Sequence, residues 1–232
     1  MTSYDLRTRK DDPAAFEDPM LLSDTAAREL LRPVPWRRFA VIGDSIAAGT
    51  GDPTPGFAML SWADRLAGWL RAAHPETRYL NTGRMGATID EIRTEQLAAL
   101  DDFRPDLVFV NGGGNDLMRR DADLSAVERD LDRLCAEATA TGARLALFTL
   151  ADAFTGPMQP LRPRFAAFAD SIRRIAAHHD AILIEFWGHP ARLRPDWLST
   201  DRIHLTMAGQ AIVAAELAKA LARHADSGPG GE

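Results

Sequence analysis

The sequence predicts an α/β fold in which one parallel sheet is covered by helices on both faces, and two observations lead there. Short runs at 39–42, 107–110, 145–148 and 181–184, with a weaker one at 78–80, are continuously apolar. They lack in/out alternation, the mark of strands covered on both sides. Segments with the three-to-four-residue spacing of amphipathic helices separate these runs. Strand and helix in strict alternation imply right-handed crossovers and a parallel sheet.

The elements follow in order. Residues 1–35 are polar and interrupted by prolines, with one short helix at 23–31. They form an N-terminal extension expected to pack partly on the domain or stay mobile. The first strand ends in Gly43-Asp44-Ser45. Trp62, Leu66, Trp69, Leu70 and Ala73 share one helical face, so both tryptophans are expected in the core. Thr88 and Glu91 have the spacing of a capping box, opening a helix with Ile89, Ile92 and Leu100. After the strand at 107–110, Gly112-Gly113-Gly114 gives room for a tight turn. It lacks both the Lys-Ser/Thr ending and the G-x-G-x-x-G spacing of phosphate loops.

Ser125 and Glu128 form a second candidate box before a helix carrying Val127, Leu131, Leu134 and Ala138. Cys135 lies in that helix as a small buried side chain. Phe165, Phe168, Ile172 and Ile175 mark a fourth helix; Val213, Leu217, Ala220 and Leu221 mark the last. The implied organisation is an extension (1–35), one domain (36–225) and a flexible tail (226–232).

Bulk properties narrow the function. A chain of 232 residues fits one domain, and its formal net charge of −6 gives no reason to bind phosphate backbones. Nucleic acid is therefore an unexpected partner. A single cysteine excludes an intramolecular disulfide and a cysteine zinc cluster. The N-terminus has no apolar run after its basic residues, and no segment approaches the ~18 apolar residues of a membrane span. A cytoplasmic protein is the expectation, with oligomeric state left open.

In such sheets ligands bind beyond the carboxyl ends of the strands. Ser45 follows the first strand, Asn115 the third, Asp152 and Phe154 the fourth, and Trp187 and His189 the fifth. Downstream, Asp201-Arg202-Ile203-His204 sets a carboxylate three residues before an imidazole. Serine, histidine and acid are the parts that turn an alcohol into a nucleophile. Each has a plainer reading: Ser45 as a loop or cap serine, Asn115 as a turn residue, Asp201 and His204 as caps near Thr206. Asp44 is expected to brace its loop through backbone N–H groups. His74, His178, His179, His189 and His224 read as surface or helix-end residues, with His189 nearest the crevice. The run 119–123 mixes signs and reads as a solvated loop. Segments 118–123 and 151–163 are expected to wall the crevice. There Phe154, Met158 and Leu161 would favour an apolar acyl group, and Arg162 or Arg164 an anionic one.

Four ordered blocks resemble the SGNH (GDSL-type) hydrolase family: Gly43-Asp44-Ser45-Ile46; Asn81-Thr82-Gly83-Arg84-Met85-Gly86-Ala87-Thr88; Gly113-Gly114-Asn115-Asp116; and Asp201-Arg202-Ile203-His204. Ile46 replaces a leucine, and Leu205 stands where a proline often follows the histidine. The resemblance implies a three-layer α/β/α, flavodoxin-like domain with a five-stranded parallel sheet in order 2-1-3-4-5. It implies a serine esterase or deacylase with Ser45, His204 and Asp201 as catalytic residues, working through an acyl-enzyme. The implied oxyanion donors are Ser45, Gly86 and Asn115, with Gly83 competing for the glycine position. A small-molecule ester is the implied substrate, without metal or organic cofactor. Two other readings keep the same residues: an acyltransferase that intercepts the acyl-enzyme, and a binding module that has lost turnover.

Overall fold

The computed structural model describes residues 18–226. Residues 1–17 of the extension and 227–232 of the expected tail lie outside the described residues. The chain runs α1 (Asp24–Leu30), β1 (Arg38–Gly43), α2 (Ser45–Ala48), α3 (Trp62–Ala73), β2 (Arg78–Asn81), α4 (Ile89–Phe103), β3 (Leu107–Asn111), α5 (Gly114–Met118), α6 (Leu124–Ala138), β4 (Arg144–Phe148), α7 (Arg162–His178), β5 (Ile182–Ile184) and α8 (Met207–Asp226). Two 3-10 helices, Gly156–Leu161 and Pro190–Leu193, interrupt the loops.

All strands pair in parallel, in the order β2-β1-β3-β4-β5. The expected three-layer architecture is therefore present, because both faces of every central strand are apolar. Phe39, Val41, Leu107 and Phe109 enter one core, shared with α1, α3 and α8. Ala40, Ile42, Val108 and Val110 alternate into the other, shared with α4, α6 and α7. Trp62 is fully buried as its helical spacing requires, edge-on to Phe109 and Phe148 at 5.4 and 5.8 Å. Its indole N–H donates to the Ile46 carbonyl (2.8 Å), which ties the turn after β1 to the core.

Details depart from the sequence reading. The box at Thr88 forms, with the Thr88 N–H donating to Glu91 Oε2 at 2.8 Å. The box at Ser125 does not: Asp123 caps α6 by accepting from the Ser125 N–H, while Glu128 reaches across to Arg174 and Ser171 on α7. A long-range guanidinium partner outcompetes the local cap. The last strand starts at Ile182, since the Ala181 N–H still donates to Ala176 at the end of α7. In the described part of the extension, Ala27, Leu31 and Val34 are buried in the α3/α8 core, and Asp24 accepts from the Trp69 indole (2.6 Å). Among the described residues no helix is long and apolar enough to cross a membrane.

Candidate active site

The site is built at the carboxyl end of β1. The Asp44 N–H donates to the Asn111 carbonyl on β3 (3.2 Å), and the Gln96 side chain clasps both backbone groups of Gly43 (2.8 and 2.9 Å). Asp44 then caps α2, its carboxylate accepting from the Ile46 N–H at 2.9 Å. It is thus a loop brace, as its position after the strand suggests. Burial pushes its carboxyl up to about 7, against the lowering pull of the Ile46 N–H and of His204.

Ser45 is the first residue of α2, and its Oγ lies 2.8 Å from His204 Nε2. His204 Nδ1 lies 2.6 Å from Asp201 Oδ2. The other oxygen, Asp201 Oδ1, accepts from the N–H groups of Ile203 (2.9 Å) and His204 (3.0 Å). Burial raises this carboxyl, but the His204 ring and the two backbone donors outweigh it and hold it below the usual range. Neither Asp201 nor His204 caps α8; the Thr206 hydroxyl accepts from the Gly209 N–H there (3.1 Å).

Residues 159 positions apart meet because the two loops are laced together. The Asp52 N–H donates to Ser199 Oγ (2.8 Å), Asp52 Oδ2 accepts from the Thr200 N–H (2.9 Å) and hydroxyl (2.8 Å), and the Met207 N–H donates to the Asp52 carbonyl (3.0 Å). Gly51 must be glycine: a Cβ there would sit 1.7 Å from the Leu205 carbonyl oxygen. The contact that docks the histidine loop therefore depends on a missing side chain.

Three residues that carry hydrogen-bond donors, Ser45, Gly86 and Asn115, line the same cavity. Ser45 opens its helix, so its N–H has no partner within the helix. The Asn115 amide gives one hydrogen to the Ala87 carbonyl (2.9 Å), which leaves the second. Asp116 accepts from the Ile89 N–H (3.1 Å), joining α5 to the start of α4 and fixing the segment that carries Gly86. Gly86 has φ +78°, open space where a Cβ would stand, and a place on the cavity wall. The rival Gly83 spends its N–H on Asn81 Oδ1 (2.9 Å) and packs against Ala47 and Ala48.

A cavity of about 240 Å³ opens beside Ser45. Phe154, Met158 and Met118 line it, as read from the loops, while Leu161 packs on the second core instead. Neither predicted cation faces the cavity. Arg162 forms a two-pronged pair with Asp152 (2.8 and 2.6 Å), and Arg164 donates to the carbonyls of Leu117 (2.7 Å) and Arg119 (2.8 Å). Arg202 stands on the wall in their place, at φ +60° in the tight turn between Asp201 and His204. His189 also turns away: it caps the 3-10 helix Pro190–Leu193 and packs edge-on to Phe186. Residues the sequence did not single out, Asn111, Thr149, Phe186 and Trp197, complete the wall. Of these Asn111 and Thr149 carried a signal, each as the polar residue closing an apolar run.

One group away from this crevice has metal-ligand chemistry. Asp132 Oδ1 lies 3.0 Å from His178 Nδ1 and 2.8 Å from His179 Nε2. Burial raises the Asp132 carboxyl, and hydrogen bonds from the two rings outweigh it and lower it. Hydrogen bonding accounts for the group, which sits where α7 ends and leads into the amino end of β5, whereas Ser45 follows a carboxyl end.

Comparisons with known proteins bear on the family and the fold. A family model described as GDSL-like lipase/acylhydrolase matches residues 41–212. Among solved structures, an α/β hydrolase enzyme, LAE5, from the metagenome of Lake Arreo is 26% identical, with a TM-score of 0.65, covering 79% of this chain and 94% of that one. The acetylxylan esterase Axe2 of Geobacillus stearothermophilus is 23% identical (TM-score 0.64; 79% and 93% covered). The psychrotrophic esterase EstA of a Pseudoalteromonas species is 20% identical (TM-score 0.66; 82% and 99% covered). These last two likenesses establish the fold. No curated protein matches the chain.

Proposed function

The chain belongs to the GDSL-like lipase/acylhydrolase family and is a carboxylic ester hydrolase, and we propose that it works as a serine esterase through Ser45, His204 and Asp201. The observation that carries this reading is the unbroken relay from Ser45 Oγ to His204 Nε2 (2.8 Å) and from His204 Nδ1 to Asp201 Oδ2 (2.6 Å).

The steps follow from where the protons sit. With its Nδ1 proton held by Asp201, the imidazole presents a bare Nε2 to the Ser45 hydroxyl. It takes that proton as Oγ attacks the ester carbonyl, and Asp201 stabilises the resulting imidazolium. Charge develops on the carbonyl oxygen. The Ser45 and Gly86 N–H groups and the free Asn115 amide hydrogen are donors fixed before the reaction begins, so no reorganisation is needed. His204 then returns the proton to the leaving alcohol, and the acyl group stays on Ser45. Water enters, gives its proton to His204 and attacks the acyl-enzyme; collapse releases the acid and restores the serine.

Ser45→Ala removes the nucleophile and little else, since Oγ has His204 as its only side-chain partner among the described residues. Hydrolysis of p-nitrophenyl acetate should vanish while the thermal melt is nearly unchanged. Turnover that survives the substitution contradicts the proposal.

A further inference from the structure

Only three side chains on the wall of the cavity beside Ser45 can ionise: Asp44, His204 and Arg202. Two of them have fixed partners. Asp44 accepts from the Ile46 N–H, and His204 bridges Ser45 and Asp201. The Arg202 guanidinium has none: among the described residues it makes no hydrogen bond, ion pair or ring contact. The carboxylates of the two laced loops are already engaged. Asp201 serves His204 and two backbone N–H groups, and Asp52 serves the Thr200 N–H and hydroxyl. An unpaired, solvent-exposed cation therefore stands on a wall that is otherwise mostly apolar.

The chain holds this arm beside the reacting serine. The Arg202 N–H donates to the Ser199 carbonyl (2.9 Å), inside the turn that joins Asp201 to His204. The side chain reaches the loop opposite, where a Cβ on Gly156 would lie 2.6 Å from Arg202 Nη1. Gly156 opens the 3-10 helix that carries Met158 to the cavity wall. Arg202 also sits at φ +60°, a left-handed conformation that glycine adopts without a β-carbon clash. An arginine held in that conformation two residues before the catalytic histidine points to a use for its side chain. Apolar walls focus the field of a cation on a cleft, and a planar guanidinium fork matches a carboxylate with two parallel hydrogen bonds.

We propose that Arg202 is a specificity residue, and that the preferred substrates are esters bearing a carboxylate that its guanidinium pairs. This names a substrate class for the serine-esterase reading above and rests on it.

The test uses two pairs of esters on the full chain, each pair an anion and its neutral carboxamide analogue. In one pair, the p-nitrophenyl monoester of adipic acid and its terminal amide, the charge lies on the acyl side. In the other, 3-acetoxybenzoate and 3-acetoxybenzamide, it lies on the alcohol side. The quantity read is kcat/KM for the anion over kcat/KM for the amide, in wild type and in Arg202→Gln, so intrinsic ester reactivity cancels. In at least one pair the wild-type ratio should exceed that of the variant about fivefold, the upper end for an ion pair that water still reaches. That excess should shrink as ionic strength rises from about 0.01 to 0.5 M. Ratios within twofold of each other in both pairs overturn the proposal, as does an excess that salt leaves untouched. An arm that merely props the loop at Gly156 gives that first result, because its loss slows anion and amide alike. Should Arg202→Gln not fold, Arg202→Gly replaces it, since glycine suits the turn, and the same ratios decide. Hydrolysis of the amides without any preference for the anions leaves the esterase reading standing, whereas wild-type protein inert on all four esters sinks both.

Discussion

Replacing Asp201 by Asn tests the relay most finely, because the structure says which atoms change and which stay. Asp201 Oδ1 already accepts two backbone N–H groups. An asparagine oxygen can keep both bonds, so its amide nitrogen must take the Oδ2 position, 2.6 Å from His204 Nδ1. Two N–H groups cannot face each other there. The imidazole then shifts its proton to Nε2 and points it at Ser45, where it can no longer accept one. In a serine protease the same exchange costs ~10⁴ in kcat. The Asp201 side chain is 46% exposed here, so water can support the working tautomer part of the time. A smaller loss, about 10²–10³ in kcat or roughly 2.7–4 kcal/mol of barrier, is expected. Steady-state hydrolysis of p-nitrophenyl acetate reads the loss. The thermal melt should hardly move, because the backbone acceptors survive. A variant that keeps more than about a third of wild-type kcat refutes the tautomer argument, and a loss matched by unfolding shows that Asp201 acts on the fold instead.

Two further substitutions separate charge from geometry. The buried Asp44 carboxyl is raised from 3.8 to about 7, so the native state takes up a proton that the unfolded chain releases between those values. That contribution to stability is whole below the unfolded value and is lost as pH rises through the native one. Asp44→Asn cannot ionise and keeps an acceptor for the Ile46 N–H, so its melting temperature relative to wild type should rise from about pH 5 to pH 8.5; a difference independent of pH contradicts this. Gly86→Ala meets no atom within 4 Å, yet Gly86 holds φ +78°. Stability should fall by only about 1–2 kcal/mol, while kcat drops by ~10-fold or more as the N–H is displaced; unchanged kcat removes Gly86 from the donor set.

The sheet was legible because its strands are buried on both faces, which leaves runs such as 107–110 without a polar residue. The strand order and the meeting of positions 45, 201 and 204 came from the motif resemblance, since periodicity cannot pair distant segments. What was missed depended on competition between partners. Asp123 took the cap expected of Ser125 because Glu128 is drawn to Arg174. Arg162 and Arg164 read as ligand cations, yet Asp152 and the carbonyls of Leu117 and Arg119 claim them first. Arg202 reached the wall through a left-handed turn that its own identity does not announce. Local patterns name the groups, and only tertiary contacts decide which remain free.

The proposed chemistry requires the Ser45 hydroxyl to be an activated nucleophile, and covalent labelling reads that without assuming a substrate. A fluorophosphonate probe followed by peptide mass mapping should place one adduct on Ser45, with labelling lost in Ser45→Ala and strongly slowed in His204→Ala. An unlabelled protein, or an adduct on another residue, contradicts that chemistry.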